Sequence, residues 1–66
     1  MNKELIDGMN SYLNGKLSYH RANVRVFLSN PVGVAEHGDY METLEKELEK
    51  VAYYKELIDA LENVNE

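Results

Sequence analysis

Ile6, Met9, Leu13, Leu17, His20, Val24 and Phe27 follow one another at steps of 3, 4, 4, 3, 4 and 3. At about 100° per residue, seven side chains so spaced fall within an arc of about 100° on a helix. The spacing predicts a helix over about residues 3–28, roughly 38 Å long at about 1.5 Å per residue. A second run, Met41, Leu44, Leu48, Val51, Tyr54, Ile58 and Leu61, recurs at the same steps of three and four. Between its members lie Glu45, Lys46, Glu47, Glu49, Lys50 and Glu56, all good helix formers. Glu42 and Lys46 add a favourably oriented pair one turn apart. A second helix over about residues 39–63 follows.

Two local features of the first half compete with the helix. Leu13-Asn14-Gly15-Lys16-Leu17 fits an Asn-Gly hairpin turn, and Val24-Arg25-Val26-Phe27-Leu28 alternates with β-branched residues. Gly8 and Gly15 each cost about 1 kcal/mol inside a helix, so a helix broken near Asn14-Gly15 is a further alternative. Residues 29–38 read as the connection. Pro31 disfavours helix at Asn30, and Asn30-Pro31-Val32-Gly33 suits a type I turn. Asp39-Tyr40-Met41-Glu42 fits a capping box, with Gly38 as the alternative cap one residue earlier. The fold class is all-α, an antiparallel two-helix hairpin forming one domain over residues 1–66. Such a hairpin sets Val24 against Leu44, Phe27 against Met41 and His20 against Leu48. Arg21 and Arg25 then fall near Glu42, Glu45 or Glu49.

At 66 residues without a cysteine, the chain has little core and no disulfide to support it. Ordering it costs on the order of 100 kcal/mol, which a core of this size barely offsets. The surface pattern points to the remedy. Beside the main stripe of the first helix run Leu5, Tyr12, Tyr19 and Val26, and beside those Gly8, Gly15 and Ala22, each line at intervals of seven. The apolar and small arc then spans roughly 240°, more than one partner helix covers. Tyr53, Tyr54, Leu57, Ile58, Leu61 and Val64 make a matching excess at the far end of the second helix. The expected working unit is a homodimer forming a four-helix bundle, with Leu5, Tyr12, Gly15, Tyr19, Ala22, Val26, Leu57, Leu61 and Val64 at its interface.

Charge and hydropathy exclude other classes. Net charge is −5, and it divides into +2 over residues 1–35 and −7 over residues 36–66. An acidic balance argues against a nucleic-acid partner. No apolar run approaches the roughly 20 residues that span a bilayer, so no membrane partner is expected. Met1-Asn2-Lys3-Glu4-Leu5-Ile6-Asp7 lacks the basic-then-apolar profile of a signal peptide, and a cytoplasmic protein is the expectation.

The segment His20-Arg21-Ala22-Asn23-Val24-Arg25-Val26-Phe27-Leu28-Ser29-Asn30-Pro31-Val32-Gly33-Val34-Ala35-Glu36-His37-Gly38-Asp39 and the following residues 41–54 resemble a group of small uncharacterised proteins of tailed bacteriophages, notably phages of aquatic bacteria. The resemblance covers residues 20 to about 61, and Asn-Pro-Val-Gly-Val-Ala-Glu-His at 30–37 is its most distinctive part. Ala35 stands where the group has glycine, and Gly38 where it has serine or proline. The resemblance implies a helical accessory protein in the host cytoplasm and favours the continuous first helix. It implies no activity.

Candidate chemistry is sparse. His20 lies on the apolar stripe, where a hydrogen-bonded core or interface histidine is the expectation. Glu36, His37 and Asp39 are three metal-binding side chain types close in sequence, but no second histidine follows at the spacing of a zinc site. They are read, with Asn30, Pro31, Gly33 and Glu42, as loop and helix-cap residues. Ser11, Ser18 and Ser29 have no local base, and no glycine-rich phosphate loop is present. No metal, no cofactor and no enzymatic activity are expected. Two function classes remain: an accessory protein that binds a host or phage protein, and a minor structural or assembly component of the virion.

Overall fold

The computed structural model of the protein describes residues 2–29 and 37–65, with side chains for 2–29 and 39–65. It consists of α1 (Lys3–Ser29) and α2 (His37–Asn65), packed against each other as a hairpin. Helix α1 passes through Asn14 and Gly15 without interruption. Among the described residues no φ is positive, so the Asn-Gly turn and the broken helix are both excluded. The apolar stripe outweighs the propensity cost of two glycines.

Helix α1 begins on a cap that the sequence analysis overlooked. The Asn2 side-chain carbonyl accepts the Leu5 N–H at 3.0 Å, and the Asn2 backbone carbonyl accepts the Ile6 N–H at 3.1 Å. Asparagine is among the best residues for this position, because its short side chain reaches an amide with no partner inside the helix. Glu4 in the first turn adds a favourable charge at the positive end of the helix dipole.

Helix α2 starts at His37, two residues before the expected boundary. Asp39 is therefore not the cap. It lies in the first turn, exposed, and its carbonyl accepts the Thr43 hydroxyl at 2.8 Å. An acid at the cap and an acid in the first turn are both stabilised by the free amides there, so composition alone does not separate them. Gly38 is likewise inside the helix, and Glu42 is exposed and too far along to close a capping box. Asn30, Pro31, Gly33 and Glu36 lie outside the described residues.

The two helices meet along a narrow seam. On α1 it follows the expected stripe from Ile6 through Leu13, Leu17, His20 and Val24 to Phe27, although Met9 stays 42% exposed. On α2 the seam keeps Leu44, Val51, Tyr54, Ile58 and Leu61 but differs by one residue at two positions. Met41 and Leu48, expected to face α1, are 62% and 50% exposed. Tyr40 and Glu47 replace them, so the half-buried line is Tyr40, Leu44, Glu47, Val51, Tyr54, Ile58 and Leu61. These residues alternate strictly in steps of four and three, the repeat of a coiled-coil seam. Phe27 consequently meets Tyr40 and not Met41. Their rings lie 5.0 Å apart at 65°, and the Tyr40 hydroxyl donates to the Phe27 carbonyl. His20 meets Glu47 and not Leu48. Val24 and Leu44 are both half-buried.

The hairpin is long and thin. Its axes measure 51 × 14 × 12 Å and its radius of gyration is 15.3 Å, against about 11 Å for a compact chain of this length. Among the described apolar side chains only Leu13 and Leu17 are fully buried, at 2% and 6% exposure.

Candidate functional site

Midway along the seam is a polar cluster in an otherwise apolar interface. His20, at 9% exposure, is the buried polar residue among those described. Its Nδ1 lies 2.8 Å from Glu47 Oε1, and the Asn23 side-chain amide donates to the same oxygen at 2.9 Å. The His20 hydrogen bond, then that of Asn23, holds the Glu47 carboxyl below its ordinary value of 4.5, while burial opposes the shift. An ionised carboxylate only accepts, so the bond to Glu47 is one that His20 Nδ1–H donates.

Aromatic rings enclose the imidazole. Tyr54 stacks on it with centroids 5.7 Å apart and planes 9° from parallel. Tyr19 meets it edge-on at 4.9 Å and 74°. Tyr53 in turn meets Tyr54 edge-on at 5.0 Å and 80°. A continuous row of four rings thus crosses from α1 to α2, with Tyr19 and Tyr53 at its exposed ends. This arrangement holds two helices in one register. Sliding α2 by one heptad would put tyrosine against His20 and leave Glu47 without its donors, and a part-buried carboxylate without donors is costly.

The second feature is a flank of α1. Leu5, Tyr12, Tyr19 and Val26 are between 56% and 70% exposed. Lys16 lies along the same flank, its ammonium 5.9 Å from the centre of the Tyr12 ring. Asn2, Glu4, Leu5, Gly8, Met9 and Tyr12 line a shallow cleft at its start. In an antiparallel pair, the helical period brings the Tyr53, Leu57 and Val64 side of α2 beside this flank, at the end remote from the connection. Val64 is 71% exposed, whereas Leu57 and Leu61, expected on the outer surface, are half-buried within the hairpin. Leu61 closes the open end of the seam together with Ile6 and Ile58. The small residues point elsewhere. Gly15 and Ala22 are exposed on the side of α1 opposite the seam, and a Cβ added at Gly15 meets nothing within 4 Å.

Of the loop and cap residues, Asp39 and Glu42 are exposed and far from the His20 cluster in register, and His37 is the first residue of α2. Among the described residues, no three histidine, cysteine, aspartate or glutamate side chains stand together as a metal site. No described helix is long and apolar enough to cross a membrane.

The sequence analysis missed Glu47, Asn23, Tyr40 and Asn2. A signal for two of them was present: Tyr40, Glu47, Tyr54 and Leu61 lie at intervals of seven, in phase with one another. Apolarity alone selects Leu48, its neighbour, in place of Glu47. Compared with family models, curated proteins and solved structures, the chain matches none.

Proposed function

We propose that this chain is a non-enzymatic protein-interaction module whose working surface is the Leu5–Tyr12–Tyr19–Val26 flank of α1. The observation that carries this reading is the exposure of those four side chains, each more than half open to water at intervals of seven. Large apolar side chains aligned along one face of a rod form a contiguous patch, which soluble proteins keep for partners. The polar cluster serves this surface indirectly. It fixes the register of the two helices, and so the relative placement of the α1 flank and the Val64 end of α2.

The phage resemblance of residues 20–61 supports placing the module in an infected host's cytoplasm, as an accessory protein acting on a host or phage protein. Tagged protein recovered from infected cells tests the reading. A partner held by the wild-type chain and lost from a Tyr12→Glu, Tyr19→Glu variant of unchanged helicity supports it. Identical recoveries from both, together with identical self-association, refute it. Mass spectrometry of purified particles separates this role from a virion component, which would be packaged at a fixed copy number.

A further inference from the structure

We infer that the partner on this flank is a second copy of the chain, joined so that α1 of each copy lies along α2 of the other with both connections at the same end. The inference rests on the interaction reading above and names its partner. Surface area supports a copy of this size. The chain exposes 5237 Å², whereas a compact protein of 7.6 kDa exposes about 4,300 Å². The excess of about 900 Å² matches the roughly 800 Å² that each partner buries in a standard interface.

The apolar open end sets the arrangement. Leu5, Met9, Leu57 and Val64 lie on one face of the hairpin, at the end remote from the connection. Two hairpins facing each other have two options. With α1 on α1 and α2 on α2, the copies run in opposite directions and the open end of one meets the connection end of the other. With a two-fold axis parallel to the rods, each α1 is bordered by α2 of its own chain and by α2 of the partner subunit, in a four-helix bundle in which all neighbours run antiparallel. That axis lays the apolar open end of one copy on that of the other, because both flanks keep their level along the rod. Leu5 comes level with Val64 of the partner subunit.

The chain contains no cysteine, so single introduced thiols report contacts cleanly. Leu5 and Val64 are among the most exposed apolar side chains, and Leu5→Cys and Val64→Cys leave the seam intact. When the two variants are mixed and oxidised, the expected product is the cross-linked pair of one Leu5→Cys chain and one Val64→Cys chain. Sedimentation equilibrium on the wild type is expected to give the dimer mass. Tyr12→Glu is expected to raise the dimer dissociation constant by about tenfold or more, with circular dichroism unchanged. Leu5→Cys chains that cross-link mainly to each other would overturn the arrangement. A wild type that sediments as a monomer at high micromolar concentration would overturn the second copy. If such a monomer still loses a different protein partner on Tyr12→Glu substitution, only this inference falls. If the substitution changes nothing, the interaction reading falls with it.

Discussion

Replacing Glu47 by alanine removes the one acceptor shared by His20 and Asn23. Those bonds are 2.8 and 2.9 Å long and end on an ionised oxygen, a class that contributes about 1.5–3 kcal/mol each. The Glu47 side chain keeps 21% of its exposure, so water partly replaces what is lost and the lower end applies. The expected cost of Glu47→Ala is about 2–3 kcal/mol, mostly the penalty of leaving His20 Nδ1–H without an acceptor. A chain of this length has a total stability of about 3–10 kcal/mol, so the change lowers the melting temperature by about 10–20 °C. Replacing His20→Leu together with Glu47→Leu removes the desolvation cost of that pair along with its bond, and half-buried Asn23 turns its amide to water. It is expected to fall within about 1 kcal/mol of wild type or above it. Urea unfolding followed by circular dichroism, at one fixed protein concentration because association is linked to folding, measures all three proteins. A Glu47→Ala cost below about 0.5 kcal/mol would refute the reasoning. So would a cycle of His20→Ala and Glu47→Ala whose effects add to within about 0.5 kcal/mol, since contacting residues should couple by more.

Other outcomes follow from the same geometry. Gly15→Ala should stabilise the fold by about 0.5–1 kcal/mol, because Gly15 is helical and the new methyl meets open space; a loss of stability together with weaker self-association would place a second helix against that line. Because the Glu47 carboxyl is held below 4.5 in the folded state, the unfolded chain binds more protons just under that pH. Its contribution is complete above that value and is lost as pH falls through the native one, so urea midpoints from pH 6 downward should drop less steeply in Glu47→Gln than in wild type. Tyr40→Phe keeps the ring against Phe27 and loses the bond to the Phe27 carbonyl, an expected cost of about 0.5–1.5 kcal/mol in thermal unfolding. Tyr19→Glu places a charge on the exposed flank and should lower the sedimenting mass before it lowers helicity.

Two helices, their approximate lengths and their pairing as a hairpin were legible in the sequence, because each is a consequence of periodicity. Steps of three and four from Ile6 to Phe27 define a stripe that persists whatever lies opposite, and it outweighed the Asn14-Gly15 turn signal. The α1 flank was equally visible, since Leu5, Tyr12, Tyr19 and Val26 fall outside an arc that one helix covers. Tertiary structure decided which residues of α2 face α1. A helix turns about 100° per residue, so Tyr40 and Met41, or Glu47 and Leu48, exchange seam and solvent with a small rotation. Apolarity ranks Met41 and Leu48 first. The decision was made across the seam, where Phe27 offers a ring and a carbonyl to Tyr40, and where His20 and Asn23 offer two donors to Glu47. Polar side chains enter a seam when the opposite helix satisfies them, and that satisfaction is a property of the pair, absent from either helix read alone.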